Sequence, residues 1–285
     1  MKPLADWPVE QRCNIIGVFT DIDDTLTTQG SITPDALQAL ADLKAAGLHV
    51  IPITGRPVGW ATTLAKQLPV DAIVVENGAV ALRMVDEPVL AENIYKNGLN
   101  SAYSLPKVLS KLYQEDETVR TRNQVRMQAI AQQLLAQIPG LTQTRDSAGR
   151  ETDLAFDCNE FANLSPETAQ KVHQLLQQAG MQTTQSSIHI HGCFGYFDKW
   201  TGAQWIVREL FQRELGEELD QWVFVGDSGN DQAMFQHFKY SVGVANIRQF
   251  ASQLQHLPDY VTHAERGAGF TEVANAILNS LSSRN

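Results

Sequence analysis

Cysteine is scarce: Cys13, Cys158 and Cys193 are the only three in 285 residues. An odd count with no paired spacing argues against a disulfide framework and for a reducing compartment. Basic residues are also in deficit, 22 Lys and Arg against 32 Asp and Glu, for a formal charge of −10. A sequence-independent nucleic-acid surface needs clustered cations, so no nucleic-acid partner is expected. No run approaches the roughly 18 apolar residues of a membrane span. The N-terminus, Met-Lys-Pro-Leu-Ala-Asp-Trp-Pro, lacks the apolar core of a signal peptide. Internal repeats and low-complexity tracts are missing as well. A cytoplasmic protein with no membrane partner is the expectation. Against these absences, 43% hydrophobic residues supply ample core for two domains.

The most informative stretch is Val18-Phe19-Thr20-Asp21-Ile22-Asp23-Asp24-Thr25. Ile15 to Phe19 reads as a short strand buried on both faces. Side chains alternate along a strand, so Asp21 and Asp23 leave it on the same side. Two neighbouring carboxylates repel, and one would hold a proton unless a metal intervenes. A Mg²⁺ site at the C-terminal end of a central strand explains the pattern, since open α/β sheets place their active sites there. An acidic turn is the alternative. Three more segments have the same form: Val50–Ile53 running into Thr54-Gly55-Arg56, Trp222–Val225 into Gly226-Asp227-Ser228-Gly229-Asn230-Asp231, and Phe197-Asp198-Lys199 preceding an amphipathic stretch. Gathered along one sheet edge, they would supply a nucleophile, a metal cage, a hydroxyl and an ammonium, an inventory for handling phosphate.

The first third alternates strand and helix. Thr33-Pro34-Asp35 starts a helix that Gly47 closes, 48–53 is a strand, 57–67 a helix and 71–75 a third buried strand. Asn77-Gly78 signals a hairpin into 79–84. This rhythm implies a parallel sheet with right-handed crossovers. From about residue 85 the texture changes. Segments 104–115 and 124–138 read as polar helices, 151–158 as a strand, 166–179 as a helix, and 181–185 and 187–192 as strands. The α/β rhythm resumes at Lys199 and ends in a helix at 270–281. The expected fold is α/β: a Rossmann-like parallel sheet flanked by helices, with an inserted α/β cap. Residues 1–84 and 194–285 would form the discontinuous core, and 85–193 the cap.

The ordered set Asp21-Ile22-Asp23-Asp24-Thr25, Thr54, Lys199 and Gly226-Asp227-x-x-Asn230-Asp231 resembles the four motifs of the haloacid dehalogenase superfamily of phosphohydrolases. Glu76-Asn77-Gly78-Ala79 is similar to a segment of its large-cap branch, which includes Cof-like sugar phosphatases, sucrose-phosphate phosphatase, mannosyl-3-phosphoglycerate phosphatase and eukaryotic phosphomannomutases. One departure is Asp24, in a slot that is usually Gly. The resemblance implies Asp21 as nucleophile and Asp23 as general acid and base. Mg²⁺ would be held by Asp21, the Asp23 carbonyl and Asp227, and Thr54 and Lys199 would bind phosphoryl oxygens. Asn230 and Asp231 would orient Asp227 and Lys199. Gly55, Arg56 and Asn77 are further candidates near the pocket.

Each residue has a plainer reading. Asp227 and Ser228 could cap a helix, Thr54 could be a turn residue, and Lys199 a solvated helix start. His189-Ile190-His191-Gly192-Cys193 places three possible zinc ligands on one strand face without a fourth. The alternative is a last cap strand with His189 and His191 near the cleft. Arg120, Arg122 and Arg126 read as a solvated helical face, while Arg145 and Arg150 are cap candidates for substrate contact. The implied function is Mg²⁺-dependent hydrolysis of a small phosphorylated metabolite such as a sugar phosphate, through an aspartyl-phosphate. The rivals are a phosphomutase using the same intermediate and a non-catalytic ligand-binding protein. A dehalogenase fits less well, since carbon–halogen cleavage needs no Mg²⁺ cage.

Overall fold

The computed structural model describes residues 1–87, 106–186 and 188–282. Besides a short hairpin of Thr27–Thr28 with Ser31–Ile32, the strands along the described chain are β1 (Lys2–Pro3), β2 (Gly17–Thr20), β3 (His49–Pro52), β4 (Ile73–Val75), β5 (Val80–Asp86), β6 (Lys107–Tyr113), β7 (Asp153–Asp157), β8 (Gln182–Gln185), β9 (His189–Cys193), β10 (Trp222–Gly226), β11 (Tyr240–Gly243) and β12 (Tyr260–Val261). The principal helices are α1 (Pro34–Ala45), α2 (Val58–Gln67), α3 (Glu117–Gln137), α4 (Pro166–Gln178), α5 (Lys199–Phe211), α6 (Gln232–His237) and α7 (Arg266–Ser282).

Six strands form one sheet in the order β1-β12-β11-β10-β2-β3, and every pair in it is parallel. Strands β2, β3, β10 and β11 are buried along their length apart from His49 at the start of β3, which explains why they read as unbroken apolar runs rather than alternating ones. Two hydrophobic clusters contain these strands. One includes Val18, Val50, Val223 and Val242 with Leu40, Phe270 and Ile277 from α1 and α7. The other includes Phe19, Ile51, Phe224 and Ile206, the last from α5. Helices thus cover both faces, and the expected α/β core is present. Parallel strands share a direction, so the residues after β11, β10, β2 and β3 emerge side by side along one edge.

Strands β4, β5 and β6 form an antiparallel sheet, tied to the main sheet by a parallel bridge between Ile53 and Val74. The Asn77-Gly78 signal does mark the reversal between β4 and β5. The helix expected at 104–115 is a correction: residues 107–113 form β6, paired with β5 from Val80↔Tyr113 to Asp86↔Lys107, and 104–105 lie outside the described residues. Leu109, Leu112 and Tyr113 have helical spacing, but ladder bonds to β5 and packing against the core clusters decide the conformation. The next helix starts earlier than expected, at Glu117, where Asp116 caps it by accepting from Val119 N.

A third hydrophobic cluster draws only on residues 127–194, including Met127, Leu134, Phe156, Val172 and Ile190. It packs α3 and α4 on the antiparallel sheet β8-β9-β7. The arginines expected as a solvated face are partly engaged, Arg120 lying over the Tyr113 ring and Arg126 over that of Phe194. Among the described residues no helix is long and apolar enough to cross a membrane.

Candidate active site

The sheet edge delivers one polar side chain per strand end: Asn246 after β11, Asp227 after β10, Asp21 after β2 and Thr54 after β3. Asp21 N donates to Val225 O at 2.8 Å, so the Asp21 loop is stitched to the strand carrying Asp227. Lys199 opens α5 behind an Asp198–Thr201 capping box. Its side chain is only 1% exposed, which rules out a solvated helix start. The ammonium donates to Asp21 Oδ1 at 2.5 Å and Asp231 Oδ1 at 2.7 Å.

Carboxylate oxygens of Asp21, Asp227 and Asp231 all lie within 4.8 Å of one another. Asp231 is already satisfied: one oxygen meets Lys199, and the other accepts from the backbone N–H of Asp227 and Ser228. It therefore holds the Asp227 loop and Lys199 in place. Asp227 accepts from Asn246 Nδ2 at 2.9 Å and Thr25 Oγ1 at 3.4 Å. Burial pushes the Asp21 carboxyl up to about 7; Asp231 and Asp23 add to the rise, and Lys199 opposes it. Burial, then Asp21 and Asp231, likewise hold Asp227 well above the carboxylate range. Burial alone would lower the Lys199 ammonium, but Asp21 and Asp231 raise it instead.

A pair of carboxyl groups that resist ionisation chiefly because they are buried fits a hard divalent cation, which prefers oxygen ligands. Asp21, Asp227 and the Asp23 carbonyl, which has no donor among the described residues, could hold Mg²⁺. Asp24 stands at φ 55°, in the left-handed region, which explains why Gly suits that slot. Its carboxylate pairs with Arg266 Nε at 3.0 Å, and its carbonyl accepts from Asn246. Asp24 thus serves the turn.

A narrow cleft opens over this cluster, lined by Asp21, Asp23, Thr54, Gly55, Arg56, Ser186, Ile188, His189, His191, Ser228 and Asn230. Residues from both expected segments meet there. Arg56 forms a two-pronged pair with Asp23, Nε to both oxygens at 3.1 Å and Nη2 to Oδ1 at 3.0 Å. It also reaches Asp146 at 3.5 Å and Glu160 at 3.6 Å. Asn230 accepts from Ser228 Oγ at 3.0 Å.

Asn77 sits beside this cleft, in a smaller one shared with His191. Of the cap candidates, His189 and His191 line the main cleft, and the two arginines do not. Arg145 covers the Phe161 ring, and Arg150 is buried against Asp153 at 2.9 Å while donating to Gly55 O at 3.1 Å. The histidines are not arranged for zinc: His189 Nε2 meets Glu160 at 2.7 Å and His191 Nδ1 meets Asp153 at 2.9 Å. Burial pushes the Cys193 thiol up to about 12.

Two residues escaped the sequence reading. Asn246 locks Asp227 to the Asp24 carbonyl, and its Oδ1 accepts from Arg266 N at 3.0 Å. Its signal was the same as the others', a polar group ending an apolar run, Tyr240 to Ala245. Glu76, 1% exposed, accepts from Val58 N at 3.2 Å, Thr152 N at 2.6 Å and Thr152 Oγ1 at 2.5 Å, and both its oxygens accept from Glu151 N. It thereby ties the Thr54–Val58 loop to the segment that carries Arg150 and Asp153.

Comparison with known proteins agrees with this architecture. The chain is similar to phosphoglycolate phosphatases of Methanothermobacter thermautotrophicus (22% identical, covering 92% of this chain and 98% of that one) and Pyrobaculum islandicum (23%, covering 94% and 97%). Its fold resembles the sucrose-phosphatase of Synechocystis, solved with sucrose and phosphate, at a TM-score of 0.62 and 17% identity, covering 93% and 98%. The profile of the haloacid dehalogenase-like hydrolases matches residues 18–267, and the chain belongs to that family.

Proposed function

We propose that this protein is a Mg²⁺-dependent phosphoric monoester hydrolase acting on a small phosphorylated metabolite, a sugar phosphate by class. The observation that carries this reading is the convergence of Asp21, Asp227, Lys199 and Thr54 at one sheet edge, beneath a cleft that also contains Asp23. Mg²⁺, when bound by Asp21, Asp227 and the Asp23 carbonyl, supplies positive charge that offsets repulsion between a carboxylate and an anionic ester.

A carboxylate oxygen of Asp21 attacks phosphorus, and the bond from phosphorus to the ester oxygen breaks. Asp23, as the acid, gives its proton to the departing alcohol oxygen. Water then attacks the phosphorus of the aspartyl-phosphate, delivering a proton to Asp23, and the Asp21–phosphorus bond breaks to release inorganic phosphate. Lys199 and Thr54 bind phosphoryl oxygens, while Asp231 and Asn246 hold Lys199 and Asp227 in position. The segment 117–193 acts as a cap that covers the cleft with Ser186, His189 and His191, excludes water and contacts the leaving group.

Phosphate release from a panel of sugar phosphates with Mg²⁺ tests this. Turnover should vanish with EDTA, return with Mg²⁺, and be lost in Asp21→Asn while the fold persists. An isomerised sugar phosphate in place of free phosphate would identify a mutase. Ligand binding without any turnover would identify a binding protein.

A further inference from the structure

We propose that His191 accepts a hydrogen bond at Nε2 from a hydroxyl of the leaving alcohol, and so selects hydroxylated phosphate esters. The inference rests on the phosphatase reading and adds the residue that reads the leaving group. His191 Nδ1 lies 2.9 Å from Asp153 Oδ2. Arg150 donates to both oxygens of Asp153, at 2.9 and 3.0 Å. Burial would raise the Asp153 carboxyl, but Arg150 and the bond from His191 bring it below the usual range. A carboxylate can only accept, so Nδ1 carries the proton. Burial also keeps the imidazole neutral by lowering its affinity for a second proton. Nε2 is then a bare lone pair, with no hydrogen-bond partner among the described residues.

That lone pair sits over the phosphate end of the cleft. A Cβ added to Gly55 would lie 3.3 Å from Nε2, so the imidazole stands directly beside the Thr54–Arg56 loop, and a side chain at position 55 would crowd it. Arg150 joins the same loop by donating to Gly55 O at 3.1 Å, so Arg150 and Asp153 together are positioning residues for the ring. The remaining charges favour a neutral leaving group. Arg56, the cation lining the cleft, is engaged by Asp23, with Asp146 and Glu160 behind it, and His189 is taken by Glu160. A carboxylate on the leaving group would find no cation free of a carboxylate partner among the described lining residues. The similar proteins named phosphoglycolate phosphatases act, by that name, on an ester whose leaving alcohol bears a carboxylate and no further hydroxyl. This chain should discriminate against that ester.

The test uses the full chain with Mg²⁺, measuring kcat/KM for hexose and pentose phosphates and their monodeoxy counterparts. 4-Nitrophenyl phosphate serves as a hydroxyl-free reference, alongside 2-phosphoglycolate. The preferred sugar phosphate should lose at least about tenfold on removal of one specific hydroxyl. In His191→Phe that discrimination, read as the ratio of kcat/KM for the sugar phosphate to that for its deoxy counterpart, should fall to less than about threefold. A variant that keeps the discrimination, or loses both substrates equally, overturns the proposal, as does efficient turnover of 2-phosphoglycolate. Independently of turnover, long-range ¹H–¹⁵N spectra of the wild-type protein should report His191 protonated at Nδ1 alone at pH 7. Protonation at Nε2 would overturn the proposal. A wild type with the expected tautomer but no turnover of any ester would instead sink the phosphatase reading.

Discussion

Asp227→Asn removes one titratable carboxyl from the acidic cluster while leaving its hydrogen bonds available. The carboxamide oxygen can still accept from Asn246 Nδ2, and its NH₂ group can face Thr25 Oγ1. In the metal-free wild type the folded chain holds Asp21 protonated up to about pH 7, whereas the unfolded carboxyl titrates near 3.8. Between those values the folded state binds more protons than the unfolded one, so its stability falls as pH rises. One such group contributes up to about 1.4 kcal/mol per pH unit, on the order of 4 kcal/mol across the window. Asp227, also held above its usual range with burial as the first cause, adds a penalty of the same sign, and an Asn side chain does not titrate, so the variant is freed of it. At about 2–4 °C per kcal/mol for a chain of this size, the variant should melt about 5–10 °C above the wild type at pH 7 without metal. The gap should close near pH 4. Saturating Mg²⁺ should stabilise the wild type by about 3 kcal/mol at a hundredfold excess over Kd and the variant hardly at all. Calorimetry at both pH values, with and without Mg²⁺, reads both effects. A variant that melts below the metal-free wild type at pH 7, or that keeps the full Mg²⁺ shift, refutes the reasoning.

Glu76→Gln exchanges one accepting oxygen for an NH₂ group facing buried donors of Val58 or Thr152. The expected cost is about 2–4 kcal/mol, read as a lower urea midpoint with an unchanged slope. Gly202→Ala would put a Cβ 2.4 Å from the Gly78 Cα. Backbone cannot yield as a side chain does, so α5 must shift and carry Lys199 with it. Turnover should fall at least about tenfold, with circular dichroism showing the helix retained.

The core was legible because parallel strands buried on both faces must be continuously apolar, and because the chemistry sits where each such run stops. The same rule covers Asn246, which went unread for want of a motif around it. What the sequence obscured depends on distant partners. Residues 107–113 have helical spacing but become a strand through pairing with β5. His189 and His191 resemble half a zinc site until Glu160 and Asp153, about thirty or more residues away in sequence, are brought against them. Arg56 reads as a free cation near the phosphate, yet the fold spends it on Asp23. Local pattern reports which backbone is buried; it does not report which buried charges will meet.

The central claim is that Asp21 itself takes the phosphoryl group. Rapid quenching during steady-state turnover, followed by borohydride reduction and peptide mapping, tests it most directly. An acyl-phosphate at Asp21 is reduced to homoserine, so the account predicts homoserine at position 21, dependent on both substrate and Mg²⁺. Homoserine at another carboxylate, or none at position 21 while phosphate is being released, would contradict it.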